Sequence, residues 1–394
     1  MKHVALLGCG IVGGGVARIF EERGATLERA VGEPVRLKYV LEKRSCAGEP
    51  WADRVTQDFG RIERDPEVSV VCECMGGVGA AYEFARRSLL AGKSVVTSNK
   101  QLIAEHGLEL LTIAKEKGVL LLFEASVGGG IPLLRPLADS LAADRIEEVF
   151  GIVNGTTNYI LTQMLDHGAT FDAALAEAQA MGYAEADPSA DVDGLDAMRK
   201  VCILASLAFG SSVSPAAVPT EGIRGVTARD AAFAGRLGYA IKLIAHARRL
   251  PDDRITAFVS PRLVPKGTLL ADVGGVMNAA VIRGEDVGEC LFYGAGAGRM
   301  PTASAVVGDA VDALRRGGRG YYDWGPERPE RFVHPDELPF KWYVRYRNGC
   351  AEGPTERRVS EGGESAGVTP PMTRAELEAA FRSLDVLSLF RVLE

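Results

Sequence analysis

"HVALLGCGIVGGGVARIFEERG", residues 3–24, is the stretch on which the fold turns. An apolar run from His3 to Leu7 stops at glycines and gives way to helix formers, the order of strand, tight turn and helix. Gly8, Gly10 and Gly13 stand in G-x-G-x-x-G spacing, with Gly15 two further on. The first glycine permits the turn, the second lets a pyrophosphate approach the backbone, and the third lets the helix pack on the strand. An anion can then sit on the N–H groups at the helix start. By itself the spacing would equally serve a turn that only packs.

Its setting favours the dinucleotide reading. "VRLKYVLEKR" reads as the second strand and "VSVVCECMGG" (68–77) as the third, followed by a helical "AYEFARRSLLAG". "SVVTSNK" (94–100), "LELLTIAKEKG" and "VLLLFEA" continue the alternation, which predicts a parallel sheet wrapped by helices, an α/β Rossmann-like domain over 1–130. After Gly130 the rhythm changes. "LLRPLADSLAA" reads as helix, "IEEVFGIVNG" as strand, "GATFDAALAEAQAMG" as helix and "LDAMRKVCILASLAFG" as a largely buried helix. The run 230–249 reads as helix, "ITAFVSPRLV" as strand and "AVVGDAVDALRRGG" as a helix ending at glycines. An α+β catalytic and dimerisation domain is therefore expected over 131–293. Residues 294–325 would complete the first domain, 326–339 would be a proline- and charge-rich linker, and 340–394 a small third unit.

With 394 residues the chain exceeds one ordinary core, and 47% hydrophobic with 25% charged residues excludes disorder and fibrous repeats. A net charge of −7 without a basic block gives no footprint for nucleic acid or an anionic membrane, so small-molecule partners are expected. No apolar stretch approaches the roughly 20 residues that span a bilayer, and the run in "MKHVALLGCG" is too short for a signal peptide, which predicts a cytoplasmic protein. Seven cysteines without a C-x-x-C pair read as reduced thiols, and five scattered histidines do not suggest zinc.

The end of the second strand, "LEKRS", bears on cofactor choice. Glu42 suits ribose hydroxyls and hence NAD, whereas Lys43 and Arg44 can receive a 2′-phosphate, so NADP is expected with NAD as the alternative. "GYAEADPSADVDGLDAMRK", residues 182–200, gathers five carboxylates before a buried helix. The spacing does not follow a calcium loop. Asp191 or Asp193 can cap the helix, worth about 0.5 to 2 kcal/mol, and Asp196 with Lys200 can form an exposed i,i+4 pair of about 0.2 to 0.5 kcal/mol. Glu185 and Asp187 precede any helix and remain unexplained by either. Carboxylates gathered there suit a substrate ammonium, and a lysine among them suits a carbonyl oxygen that receives hydride.

At this point the chain resembles the homoserine dehydrogenases over roughly residues 1 to 325, through "GCGIVGGG", "ECMGG", "VVTSNKQLIAEHG", "FEASVGGGIPLLRPL", "GIVNGTTNYILTQM", "GYAEADPSADVDGLDAMRKVCILA" and "GAGAGRMPTASAVVGDAV". The resemblance implies interconversion of L-aspartate 4-semialdehyde and L-homoserine with NAD(P)(H), in a homodimer or dimer-based oligomer built through the second domain. It places Lys100 and Lys200 at the reacting oxygen, with Glu185, Asp191, Asp196, Thr156 and Tyr183 around the substrate. Cofactor contacts would fall at Gly8, Gly10, Ile11, Val12, Gly13, Lys43, Arg44, Gly76, Thr97, Lys100 and Gly298. A sodium or similar monovalent ion would sit at Glu124 and the carbonyls of Val127, Gly129 and Ile131, in a loop that can equally be a glycine hinge. Asp187 and Asp193 are left as structural. Another amino-acid dehydrogenase, such as aspartate dehydrogenase, and a non-catalytic NAD(P) sensor are the rival readings. A sensor would need only the glycine loop.

Many bacterial members of that family end in an ACT domain, a βαββαβ module that binds threonine. Here "FKWYVRYR" resembles its first strand and "TRAELEAAFRSLDVLSLFRVLE" its final helix and strand. The intervening "NGCAEGPTERRVSEGGESAGVTPPM" lacks an alternating apolar run, so a truncated ACT-like unit without its middle helix and strands is expected, one that pairs subunits or is vestigial and does not respond to L-threonine.

Overall fold

The computed structural model describes residues 1–318, 320–347 and 353–393, and these fall into two compact units. The first comprises Met1–Arg145, Ser206–Ser214 and Gly294–Glu327. Its sheet holds β1 (Lys2–Leu7), β2 (Val35–Leu41), β3 (Val55–Thr56), β4 (Val68–Glu73), β5 (Ser94–Thr97) and β6 (Leu121–Leu122), all parallel, in the order β3-β2-β1-β4-β5-β6. Val4–Leu7 of β1 and all of β5 are buried, the continuous apolar pattern of a sheet covered on both faces. Five of these strands are the ones expected, and the two-residue edge strand β3 is an addition.

The boundary at residue 130 moves to 145. Glu124 accepts the N–H groups of Leu133 (2.6 Å), Leu134 (2.7 Å) and Arg135 (2.7 Å), and Arg135 reaches Asp309 at 2.8 Å, which ties 131–145 to the first unit. "LLRPLADSLAA" is no full helix but a short π-type turn, Pro136–Ser140, in which the Leu141 N–H bonds five residues back to the Pro136 carbonyl at 2.9 Å.

The second unit comprises Ile146–Ala205, Pro215–Tyr293 and Arg328–Glu394. Its strands are β7 (Ile146–Ile152), β8 (Tyr239–Arg249), β9 (Ile255–Pro265), β10 (Met277–Gly284), β11 (Gly288–Ala295), β12 (Trp342–Arg347), β13 (Arg357–Glu361), β14 (Glu364–Val368) and β15 (Val386–Val392). They form one sheet, β11-β10-β7-β8-β9-β15-β12-β14-β13. The helix expected over 230–249 ends at Leu237: Gly238, at φ +89°, caps it in the left-handed region, and the next residues enter β8. β8 lies between β7 and β9 with both faces covered, so its apolar run shows neither helical nor alternating period. Within this sheet Arg262 donates to Nδ1 of His246 at 2.5 Å while Nε2 donates to Glu148 at 2.5 Å, and burial pushes the His246 acid down to about 4.

The C-terminal expectation is corrected in two respects. The middle strands are present as the hairpin β13–β14, turning at Gly362 and Gly363 with φ +58° and +79°. Nor is 340–394 a separate unit, since β15 pairs in parallel with β9 and Arg345 inserts beneath the hairpin, donating to Asp230 at 2.6 Å and Glu364 at 2.8 Å. Charge and glycine content had hidden strands whose buried face is small, Ser365–Val368. Residues 348–352, the start of the segment expected to lack structure, lie outside the described residues. The expected linker 326–339 is also structured: Phe332 bridges to Ile255, and Arg331 donates to the Asp253 carbonyl at 2.8 Å.

Candidate functional site

In the first unit the chain leaves β1 at Gly8, whose φ of +83° suits glycine alone, and enters the helix Ile11–Glu22 at Gly10. A side chain at Gly13 would place its Cβ 2.0 Å from the Gly8 carbonyl, so helix and turn touch backbone to backbone. No side chain caps this helix and no acid stands in its first turn, which leaves its N–H groups and partial positive charge for an anion. Ile11 is 75% exposed at the helix start, and Val12 is half-buried beside it.

Glu42, just past β2, takes the N–H of Cys9 at 2.8 Å and the guanidinium of Arg44 at 3.0 Å. The Arg44 contact, with the Cys9, Arg44 and Lys43 N–H groups, holds its acid at about 2. Arg44 thereby lies against Gly10, where a Cβ would stand 3.8 Å from its guanidinium, and Lys43 is exposed beside it. The acid that could have bound ribose hydroxyls is thus engaged by the loop and by Arg44.

Gly76, in open space after β4, is followed by Gly77 at φ +74°. Thr97 is fully buried and its hydroxyl donates to Glu73. Lys100 opens the helix Lys100–Lys117, capped by Asn99, and Gly298, at φ +118°, starts the helix Arg299–Arg316. In the loop 124–131 the Glu124 carboxylate is filled by three N–H groups and by the Tyr322 hydroxyl at 3.2 Å. Glu124 could therefore offer an ion only its main-chain oxygen. The carbonyls of Val127, Gly129 and Ile131 accept no hydrogen bond among the described residues, and neutral oxygens of this kind suit a hard monovalent cation.

In the second unit Asn154, at the end of β7, caps the helix Gly155–Asp166 by accepting the N–H of Thr157 at 2.8 Å. Its amide donates to Asp191 at 2.7 Å and Asp196 at 2.8 Å, joining two carboxylates. Lys200 donates to Asp196 at 2.6 Å and to the Val153 carbonyl at 2.5 Å. Both side chains are under a tenth exposed, at 9% and 6%, so the pair is buried and not the exposed helix pair that spacing allowed. Burial and the charge of Asp196 raise the Asp191 acid.

The caps foreseen at Asp191 and Asp193 do not form, because Asp191 turns to Asn154 and Asp193 pairs with Arg224 at 2.5 Å. Asp187 accepts the N–H of Ser189 at 3.1 Å, a structural role like that of Asp193. Thr156 donates to the Tyr183 carbonyl at 2.7 Å, and the Tyr183 ring lies 5.2 Å from Tyr159. Glu185 stands apart from this set on the exposed loop, with its carbonyl bonded to Gln179 at 3.0 Å. Sequence reasoning missed Asn154, although an Asn three residues before the Thr157 N–H that it binds is a capping signal.

A bare glycine loop on a parallel sheet and a buried lysine set among carboxylates are what a nicotinamide-dependent oxidoreductase requires. A family model described as homoserine dehydrogenase matches residues 132–311, and one described as its NAD-binding domain matches residues 8–124. The homoserine dehydrogenase of Pseudomonas aeruginosa is 44% identical over 79% of this chain and 72% of its own length. That of Bacillus subtilis is 43% identical over 87% and 80%. A crystal structure of a homoserine dehydrogenase from Thiobacillus denitrificans matches 100% of this chain and 98% of its own, with a TM-score of 0.92 at 34% identity. A hyperthermophilic archaeal homoserine dehydrogenase mutant in complex with NADPH matches 79% and 98%, with a TM-score of 0.67 at 29% identity. The chain belongs to the homoserine dehydrogenase family and is an NAD(P)-dependent oxidoreductase. Among the described residues no helix is long and apolar enough to cross a membrane.

Proposed function

We propose that the chain interconverts L-aspartate 4-semialdehyde and L-homoserine in the cytoplasm, with NADP(H) preferred over NAD(H). The observation that carries this reading is the buried array of Lys200, Asp196, Asn154 and Asp191, two carboxylates and an ammonium held in fixed geometry. A bound nicotinamide supplies the hydride to the aldehyde carbon or receives it from the alcohol. The chain's own residues manage charge around that step. Lys200 and Lys100 stabilise the oxygen that becomes an alkoxide, and Asp191, Asp196 and Glu185 hold the substrate ammonium. Thr156 and Tyr183 line the pocket.

The engagement of Glu42 by Arg44 supports the NADP preference, since it leaves a cation beside the glycine loop. The oxygens of Val127, Gly129 and Ile131, with that of Glu124, would hold a monovalent cation such as sodium. The second unit would serve as the catalytic and dimerisation domain of a homodimer. The rivals, another amino-acid dehydrogenase or a sensor, are separated by mixing L-homoserine with NAD⁺ or NADP⁺ and following the reduced-nicotinamide absorbance. Turnover with L-homoserine and none with L-aspartate supports the proposal, and no turnover with either cofactor refutes it.

A further inference from the structure

Glu73, the last residue of β4, is a fully buried carboxylate for which the reading above has no use. One oxygen accepts the N–H of Met75 at 2.6 Å, and the other accepts the hydroxyl of Thr97 at the end of β5. The Thr97 oxygen in turn accepts the N–H of Asn99 at 2.9 Å. The Asn99 amide donates to the Gly77 carbonyl at 2.7 Å, and its oxygen accepts the N–H of Leu102 at 3.1 Å. One connected network thus ties the loop after β4, which holds Gly76 and Gly77, to the loop after β5 and to the helix that Lys100 opens. Both loops leave the carboxyl ends of parallel strands, where ligands bind in this architecture.

With Glu73 ionised, the direction of each bond is determined. Met75 and Asn99 offer backbone donors, so the single Thr97 proton has only Glu73 to go to. Glu73 must therefore accept at both oxygens, which a carboxylate does and an amide or apolar side chain does not. Burial pushes its acid up to about 7, with the bonds from Thr97 and Met75 opposing. Burying such a group with no cation beside it among the described residues is costly, and an apolar residue like its neighbours Val70 and Val71 would suit the strand better if stability were the only demand.

We propose that Glu73 is a positioning residue for hydride transfer: acting through Thr97 and Asn99, it sets Lys100 and the Gly76–Gly77 loop in place. This rests on Lys100 acting at the reacting oxygen, as read above. The test uses the full chain with Glu73→Gln, Thr97→Val, Thr97→Ser and Lys100→Ala. For each, kcat and KM for L-homoserine are measured alongside the midpoint of thermal unfolding, Tm.

Glu73→Gln and Thr97→Val should each lower kcat at least about tenfold with KM within about twofold, because misplacing a reacting group by about 1 Å costs on the order of a hundredfold. Thr97→Ser, which keeps the hydroxyl, should stay at least about fivefold above Thr97→Val. Lys100→Ala should lose on the order of a hundredfold. If Lys100→Ala loses kcat while Glu73→Gln and Thr97→Val stay within about twofold and only their Tm falls, Glu73 is structural and the inference is overturned. If Lys100→Ala itself keeps its kcat, the reading of Lys100 fails, and the inference fails with it for that separate reason. Should Glu73→Gln not fold, the contrast between Thr97→Val and Thr97→Ser decides by the same criterion.

Discussion

Replacing Lys200 with methionine should produce two losses that can be measured apart. The ammonium lies 2.6 Å from Asp196 and 2.5 Å from the Val153 carbonyl, with both side chains of the ion pair under a tenth exposed. Removing one partner of a buried pair leaves the other charge uncompensated, which costs about 3 to 5 kcal/mol. Asp196 would retain the Asn154 amide at 2.8 Å, a neutral donor that does not replace the lysine charge. For a unit of this size each kcal/mol moves Tm by about 2 to 4 °C, so a fall of about 6 to 20 °C is expected. The chemical loss is separate: kcat should drop at least about a hundredfold, on the order of 2.7 kcal/mol in the transition state. The assay pairs circular-dichroism melting with steady-state oxidation of L-homoserine well below the lowest Tm, and adds Asp196→Asn with and without Lys200→Met. Removing the stranded charge should recover much of the Tm in the double variant and none of the kcat. A double variant that regains both would show Lys200 to be no more than the partner of Asp196, and the chemical role would be refuted.

Arg345→Met should lower Tm of the full chain by about 6 to 20 °C, because Asp230, fully buried, keeps among the described residues only Thr227 and the Tyr343 hydroxyl at 3.2 Å; a shift under about 2 °C in thermal melts would contradict this. Lys43→Ala with Arg44→Ala should weaken NADP(H) selectively, by on the order of 1.5 to 3 kcal/mol for a lost phosphate contact, while NAD(H) is spared; equal loss of both in titrations would remove the assignment. Burial lowers the His246 acid to about 4 from its ordinary 6.5, so the unfolded chain binds the extra proton first. Stability is then full above about 6.5 and falls by up to about 3 kcal/mol as pH drops through 4, a limb that His246→Gln should flatten in denaturant titrations.

The first unit was legible because each of its signals is local. Gly8, Gly10 and Gly13 sit at one turn, and apolar strands alternate with helices whose ends are marked by residues such as Asn99 and Gly118. The second unit was legible in its motifs but not in its partners. That Asp191 and Asp196 share the Asn154 amide depends on β7 returning beside the helix Leu195–Phe209, a contact between residues 37 and 42 positions apart. Glu73 escaped notice for the opposite reason, since one acid in an apolar strand looks like an edge residue until its burial is seen. β8 was misread because a strand covered on both faces carries no period to read.

The parallel pairing of β15 with β9 makes the C-terminal strands hard to gain or shed in evolution as a detachable bead. Arg391 stands opposite Arg262 and Val392 opposite Leu263, and the Arg262 guanidinium donates to the Val392 carbonyl at 2.7 Å. A lineage that dropped β12 to β15 would in the same step bare the stretch of β9 edge at Arg262 and Leu263 and leave the buried Arg262 guanidinium without the Val392 carbonyl. Such edges recruit other chains unless blunted by charge, proline or a bulge. Relatives without these strands should therefore carry one of those devices at the position of β9, so the length of a family member's tail can be inferred from a strand far before it in the chain.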